Sequence, residues 1–94
     1  MVIRFDWDPS KAHENLLKHR ITFSEAQTIF FDEHGILIHD PDHSDQEDRY
    51  LLMGISAKLR LLVVSHAYRE NDRVIRLISA RLADASERQQ YGGP

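Results

Sequence analysis

The residues most suggestive of chemistry lie in an apolar segment near the carboxyl end of the chain. Residues 73–83 read RVIRLISARLA, so that Arg73, Arg76 and Arg81 interrupt a run of strand-forming residues. Side chains along a strand alternate between its two faces. This alternation predicts that Arg76 lies on one face, and that Arg73 and Arg81 lie on the other face together with Ile75.

Guanidinium groups on such a segment need negatively charged partners. An unpaired buried arginine costs several kcal/mol, so Arg76 is expected to meet a carboxylate or to face a polar cleft. The acidic candidates are Glu47, Asp48 and Glu70. The planar donor fork of arginine also matches phosphate oxygens, and further arginines fall on neighbouring strands or turns, at Arg49, Arg60 and Arg69. Two interpretations stay open: ion-paired arginines on an exposed sheet face, or a site for an anionic ligand.

The polar segment 39–48, HDPDHSDQED, is a second concentration of functional side chains. Its histidines and aspartates are ligand types for zinc or calcium. Aligned as a calcium loop from Asp40, however, it has Asp45 at the glycine position and Leu51 at the position of the bidentate glutamate. A solvated acidic loop is therefore favoured over a metal site, and no metal or cofactor is predicted. His66, in a predicted central strand, is interpreted as a hydrogen-bonded core histidine.

Length and composition predict a single domain over residues 1–94, because a chain of this size supports one modest core. The sequence has no cysteine, which excludes disulfides and thiolate metal sites. No run of about 18 apolar residues and no signal-peptide core is evident. We therefore expect a soluble cytoplasmic protein without a membrane partner.

Charge is distributed unevenly along the chain. Residues 1–56 have 5 Lys and Arg against 11 Asp and Glu, a net charge of −6, whereas residues 57–94 have 7 against 4, a net charge of +3. This division is consistent with a basic surface for anions and an acidic surface for a basic partner. Simple solvation of both halves is the alternative.

The elements that position these residues follow from periodicity and capping signals. Asp8-Pro9 indicates a helix start, and Thr22 with Glu25 forms a capping-box pattern. The predicted elements are a strand at 2–7, helices at 9–20 and 22–34, strands at 36–40, 49–56, 60–68 and 73–80, and a helix at 84–91. The order β-α-α-β-β-β-β-α predicts an α+β fold, with the two N-terminal helices packed on one face of a mostly antiparallel sheet.

Three motifs in order give the chain a family resemblance. They are F-D-W-D-x-x-K-A-x-x-N-x-x-K-H, F-x-x-A and I-S-A-R-x-A-x-x-x-E-R-x-x-Y, and with the middle segment DRYLLMGIS they span nearly the whole chain. Together they resemble the BrnT family of ribonuclease toxins from bacterial type II toxin–antitoxin pairs. Two departures stand out, because Arg20 and Leu59 occupy positions where the family usually has glycine.

The resemblance implies a RelE-like fold and an endoribonuclease that cleaves RNA without a metal and so inhibits translation. It also implies a BrnA-like antitoxin with a ribbon-helix-helix DNA-binding part, through which alone the complex would bind operator DNA. The expected assembly is a heterotetramer of two toxins and two antitoxins. The alternative is a non-catalytic module that binds nucleic acid or protein in the same basic cleft.

RNA cleavage without a metal needs a base, an acid and cations for the developing negative charge. Lys18, which matches the lysine of the Lys-His motif, is the first candidate as phosphate binder or proton donor. His19 is a proton shuttle or a helix-end cation, and Glu47 is a base or an ion-pair partner of Arg49 or Arg76.

The remaining predicted site residues bind phosphate or base. Arginine suits only the stabilisation of charge, because it does not deprotonate near neutrality. Phosphate and transition-state contacts are assigned to Arg49, Arg69, Arg76 and Arg81, of which the last two are counted as catalytic. Ser79 and Tyr91 are expected to add hydrogen bonds or base stacking, although packing is the commoner role of such a tyrosine. All of these groups are expected to gather in one hollow.

Overall fold

The protein was analysed as a computed structural model, which describes residues 3–92. Its strands are β1 (Arg4–Asp6), β2 (Ile36–Asp40), β3 (Arg49–Ile55), β4 (Leu61–Arg69) and β5 (Val74–Leu82). Its helices are α1 (Pro9–His19), the single turn α2 (Phe23–Ala26) and α3 (Ala85–Gly92). The predicted element order is confirmed. No helix in the described part of the chain is long and apolar enough to cross a membrane.

The five strands form one sheet in the order β1-β5-β4-β3-β2. Pairing is antiparallel except between β1 and β5, which run parallel, so the sheet is mixed and mostly antiparallel. The apolar run of β4 lies at the centre, and residues 61–64 are buried on both faces. This confirms the prediction of a central strand covered on each side.

The second helix and the first strand are shorter than predicted. The helix predicted at 22–34 ends as α2 at Ala26 and continues only as a 3-10 turn over Gln27–Phe31. Thr22 caps α2 by accepting from the Glu25 N–H, but the Glu25 carboxylate turns into the protein instead of closing a capping box. The strand predicted at 2–7 is formed only over Arg4–Asp6, and Val2 lies outside the described residues.

The sheet face covered by α1 and α2, the first face, holds the main core. Its fully buried side chains include Ile21, Phe23, Ile29 and Leu62. A buried amide fixes α1 to the edge of the sheet, because Asn15 donates to the Ala80 carbonyl at 2.9 Å and accepts from the Ala80 N–H at 2.9 Å. Asn15 thus provides hydrogen bonds to the backbone of Ala80, which lies beyond the part of β5 that pairs with β1.

A β-bulge in β5 interrupts the alternation of its side chains. Ser65 pairs with Ser79, but the next residue of β4, His66, pairs with Leu77, which leaves Ile78 as an extra residue in β5. An extra residue moves every later side chain to the opposite face. The prediction that Arg81 shares a face with Ile75 is therefore wrong.

The opposite sheet face, the second face, is partly covered by α3. Met53, Leu61, Val63 and Ala83 form a smaller buried cluster there, against which Tyr91 packs. The helix predicted at 84–91 is thus confirmed to within one residue at each end. Polar and charged side chains share the rest of the second face with Ile38, which is 46% exposed.

Both positions at which the family usually has glycine adopt left-handed backbone conformations. Arg20 ends α1 with φ 60° and donates its N–H to the Leu16 carbonyl. Leu59 has φ 62° in the turn between β3 and β4, and its side chain is 84% exposed. A left-handed conformation costs a residue with a Cβ roughly 1–2 kcal/mol. Arg20 and Leu59 therefore each bear backbone strain that a glycine would not.

Replacement of Leu59 by glycine should stabilise the protein. Leu59→Gly relieves the left-handed strain and removes little packing, so the free energy of unfolding should rise by about 1 kcal/mol. Leu17→Gly is the matched control, because Leu17 is also exposed (67%) but lies in α1. It should lose about 1 kcal/mol. Urea unfolding measures both, and a loss for both variants would contradict the argument.

Candidate functional site

The four arginines predicted to bind phosphate all lie on the second face. Arg81 pairs with Val63 and Arg76 with Ala67, and alternation along β3 and β4 places Arg49 and Arg69 on the same side. The bulge in β5 is what brings Arg81 to this face. The structure thus places the four predicted arginines on one face by a route that simple alternation did not reveal.

Three of these guanidinium groups are held by carboxylates. Arg69 donates to Glu47 at 2.8 Å, Arg76 to Asp6 at 2.8 Å, and Arg81 forms two bonds to Glu87 at 2.8 and 2.9 Å. Arg49 makes no ion pair with any residue of the described chain, 3–92. The surface formed by Arg49, Arg69, Arg76 and Arg81, here called the arginine face, therefore has three guanidinium groups in ion pairs. The fourth, that of Arg49, has no carboxylate partner among the described residues.

The partners differ from those predicted. Arg76 pairs with Asp6 instead of Glu47, Asp48 or Glu70, because the parallel pairing of β1 and β5 sets Asp6 directly opposite Arg76. The predicted pairing of Glu47 with Arg49 or Arg76 is also wrong, since Glu47 pairs with Arg69. Nothing in the sequence signalled that β1 lies beside β5.

Two of these ion pairs, those of Glu87 and Asp6, keep their carboxyl groups ionised. The hydrogen bond from Arg81 lowers the pKa of Glu87 from 4.5 to about 2, and a further bond from the Asp84 N–H acts in the same direction. The hydrogen bond from Arg76 likewise lowers the pKa of Asp6. At neutral pH the Arg81–Glu87 and Arg76–Asp6 pairs are consequently full salt bridges that an incoming phosphate has to displace.

A cleft of about 720 Å³ opens at the end of the second face formed by Arg49 and Arg69. The acidic loop forms its other wall, with Asp42, His43, Asp45, Gln46 and Glu47. Glu47 therefore lies where it was predicted, at the mouth of β3. The cleft combines two guanidinium groups, carboxylates and an imidazole, which are the group types that acid–base chemistry on a phosphate ester requires.

Lys18 and His19 lie on a different layer. Lys18 follows Asn15 by three residues and His19 follows it by four, so both lie on the same side of α1 as Asn15. This side of α1 packs against β5 near Ala80. Lys18 is exposed and His19 half-buried. Within residues 3–92 neither side chain has an ion-pair partner, and neither lines the cleft with Arg49 and Arg69. The single hollow predicted from the sequence is thus divided between the sheet face and the free edge of β5.

Ser79 and Tyr91 have different environments. Ser79 is exposed on the second face, next to Ala80 and opposite Ser65. The Tyr91 hydroxyl donates to Asp32, and this hydrogen bond raises the pKa of Tyr91 to about 12. Tyr91 also packs on the smaller cluster, so it fastens α3 to the sheet.

Arg60, one of the arginines that favoured an anion site, has a structural role. It donates through Nε to the Glu25 carboxylate at 2.9 Å, and the Glu25 side chain is only 2% exposed. The Ser56 hydroxyl donates to the same carboxylate. The hydrogen bond from Arg60 lowers the pKa of Glu25. Arg60 therefore does not support an anion site on the sheet.

His66 confirms the prediction of a core histidine. It is fully buried, with Nδ1 3.1 Å from the Val64 carbonyl oxygen and Nε2 3.2 Å from the Tyr68 hydroxyl. Burial lowers its pKa. Its ring packs edge-on against Phe30, so it belongs to the core of the first face.

The acidic loop holds its polar groups in pairs. His43 bonds to Asp40, and His39 bonds to Asp48. In the part of the chain that the structure describes, no three histidine or acidic side chains come together as a metal site would require.

The fold and the four arginines define a small α+β protein with an arginine-lined sheet face. A model of the family described as the ribonuclease toxin BrnT of type II toxin–antitoxin systems matches residues 7–87, and the chain belongs to this family. Membership implies RNA as the substrate and an antitoxin as the partner. The family resemblance read from the motifs is confirmed.

A solved structure supports the fold assignment. The chain is similar to the 1.1 Å crystal structure of the Brucella abortus ribonuclease toxin, BrnT, with 19% sequence identity and a TM-score of 0.67. The match covers 88% of this chain and 99% of that one. At this identity the likeness shows a shared fold. No curated protein matches the sequence.

Loss of the Arg60–Glu25 pair should destabilise the fold. Arg60→Met leaves the Glu25 carboxylate buried without its cation, so the free energy of unfolding should fall by about 3 kcal/mol. Removing the charge as well, in Glu25→Gln/Arg60→Met, should recover much of this loss. Arg73→Met is the control, because Arg73 is exposed. Urea unfolding of the four proteins tests this, and equal stability of the single variants would contradict it.

Proposed function

We propose that this chain is an endoribonuclease toxin that cleaves RNA without a metal and is neutralised by a BrnA-like antitoxin. The observation that carries the proposal is the convergence of Arg49, Arg69, Arg76 and Arg81 on one face of a chain belonging to a ribonuclease-toxin family. Guanidinium groups are the side chains best suited to hold phosphate oxygens in two-point contacts.

The reaction we propose is an internal transfer of the phosphodiester. A base removes the proton of the ribose 2′-hydroxyl, the 2′-oxygen bonds to phosphorus, and the bond from phosphorus to the 5′-oxygen breaks. The 5′-oxygen takes up a proton, which leaves a 2′,3′-cyclic phosphate and a 5′-hydroxyl. Arg76 and Arg81 stabilise the additional negative charge on phosphorus, a service worth roughly 10²–10³-fold in rate.

RNA would lie across the second face, and its phosphates would replace the carboxylates of the existing ion pairs. The Arg49 guanidinium has no carboxylate partner within residues 3–92, so it can bind a phosphate directly. The other three guanidinium groups would exchange a carboxylate for a phosphate: Arg69 would release Glu47, Arg76 would release Asp6 and Arg81 would release Glu87. Ser79 adds a hydroxyl beside Arg81. Exchange of one anion for another leaves the guanidinium groups where they are, so little reorganisation is needed.

Lys18 and His19 would act from the free edge of β5. A strand of RNA that leaves the second face past Ser79 reaches the side of α1 on which they lie, so we assign Lys18 to phosphate binding and His19 to proton shuttling there. Tyr91 holds α3 in place through Asp32, and we assign it no direct contact with RNA.

For the antitoxin, we propose a BrnA-like protein with a ribbon-helix-helix part that binds operator DNA. Two toxins and two antitoxins would form the complex. Family membership supports an antitoxin partner. The acidic net charge of −6 over residues 1–56 is what a basic partner segment would complement.

A non-catalytic RNA-binding module is the second candidate. It is favoured by the ion pairs that already occupy Arg69, Arg76 and Arg81 and by the overall charge of −3. Such a module would bind RNA with a strong dependence on salt and leave it intact after hours of incubation. Appearance of 2′,3′-cyclic phosphate ends excludes it.

Induced expression should arrest growth and degrade RNA, and two arginines should be required. Arg76→Ala and Arg81→Ala should each reduce cleavage of a labelled RNA about 10²-fold, with EDTA leaving the wild-type rate unchanged. Arg88→Ala is the control, because Arg88 is exposed on α3. Unimpaired growth on wild-type induction, or equal cleavage by all variants, would refute the proposal.

The Arg81–Glu87 pair should make stability depend on acid. Folding lowers the pKa of Glu87 from 4.5 to about 2, so its contribution is complete above pH 4.5 and is lost as the pH falls through about 2. Glu87→Gln should therefore lower the free energy of unfolding by about 1 kcal/mol at pH 7. The difference from wild type should shrink to less than half at pH 3.

Urea unfolding at both pH values measures the effect of Glu87→Gln. Glu33→Gln is the control, because Glu33 is exposed and should change stability little at either pH. A difference that stays constant between pH 7 and pH 3 would show that Glu87 contributes through packing and not through its charge.

A further inference from the structure

The arginine face needs a group that moves protons. Arginine cannot serve, because it stays protonated. Glu47 is engaged by Arg69 at 2.8 Å, and Lys18 and His19 lie on α1 against the first face and the β5 edge. The remaining imidazole of the cleft is His43.

His43 is held as a proton-transferring imidazole has to be. Its Nδ1 lies 2.9 Å from Asp40 Oδ2, and the Asp40 side chain is only 15% exposed while that of His43 is 65% exposed. A carboxylate that accepts a hydrogen bond from Nδ1–H fixes the tautomer and leaves Nε2 with a free lone pair. The ring therefore has one nitrogen anchored to the protein and the other available at the cleft.

The local backbone fixes this pair relative to the arginines. Pro41–His43 form a single 3-10 turn, and Asp40 and Arg49 are direct partners across β2 and β3. The Ser44 hydroxyl donates to the Asp40 carbonyl oxygen and accepts from the Arg49 N–H at 3.0 Å. His43 and Arg49 are thus tied to the same two strand ends.

A second histidine–aspartate pair in the same loop provides a contrast. His39 Nε2 lies 3.2 Å from Asp48 Oδ1, but His39 projects from the first face, where it packs edge-on against Tyr50. It does not line the cleft. Only the His43 pair therefore combines an anchored imidazole with neighbouring guanidinium groups.

We propose that His43, oriented by Asp40, is the general base of the RNA cleavage, and that Arg49 and Arg69 join Arg76 and Arg81 in binding the scissile phosphate beside it. The inference rests on the proposed function. Nε2 takes the proton of the 2′-hydroxyl as the 2′-oxygen bonds to phosphorus, and the imidazolium that forms is stabilised by the Asp40 carboxylate. The 5′-oxygen leaves and is protonated by water. Asp40 is a positioning residue.

The test is single-turnover cleavage of a labelled oligoribonucleotide by the purified full chain. His43→Gln should reduce the rate about 10²-fold or more, whereas His39→Gln, the matched control from the other pair, should stay within threefold of wild type. Asp40→Asn should lower the maximal single-turnover rate about tenfold and leave the enzyme concentration at half-maximal rate unchanged. Thermal unfolding of each variant shows whether it is folded.

Chemical rescue separates proton transfer from a structural role. In His43→Gly the missing side chain leaves space beside Asp40, so free imidazole should restore cleavage at least tenfold and should not accelerate the wild type. Failure of rescue in a folded His43→Gly variant, or wild-type rates in His43→Gln, would overturn the assignment of His43 alone. A wild-type chain that cleaves no RNA would remove the proposed function as well.

Discussion

The arginine face depends on one extra residue in β5. Ile78 has no partner in β4, so the strand presents Ile75 and Leu77 to the core and then Ala80, three residues later. Without this bulge, Arg81 would point into the core beneath α1, where its charge would be unpaired. The hydrogen bonds between Asn15 and the Ala80 backbone attach α1 next to the bulge. The bulge therefore determines both the packing of the first face and which charged side chains the second face carries.

The ion pairs explain how a net acidic protein can present a surface for a polyanion. Asp6, Glu47 and Glu87 each pair with one guanidinium of the second face, at a small net stability gain. The repulsion that an RNA strand meets is local and is reduced when a phosphate takes the place of a carboxylate. The main concentration of negative charge, the loop at 40–48, lies at one end of this face, where it forms the wall of the cleft opposite Arg49 and Arg69.

The sequence predicted the elements and their order, because hydrophobic periodicity and capping residues are local signals. It identified the central strand from LLVV and the buried character of His66 from its neighbours. It did not predict that Arg81 changes face, because a bulge within a strand of nine residues cannot be recognised from the hydrophobic pattern. It also did not predict that Asp6 pairs with Arg76, because the parallel pairing of β1 with β5 joins residues far apart in the sequence. Glycine at positions 20 and 59 would have signalled the left-handed turns that Arg20 and Leu59 adopt.

The sheet itself limits how the candidate groups can cooperate. Lys18 and His19 are attached to the layer that covers the first face, and the cleft of Arg49 and Arg69 opens on the second. A substrate can contact both only by passing over the free edge of β5, beyond the end of β1. An extended single strand of RNA can follow such a path, whereas a rigid duplex cannot bend around the width of one strand. The path we propose for RNA therefore favours a single-stranded substrate, and it leads to the proposed base, His43, at the end of the sheet.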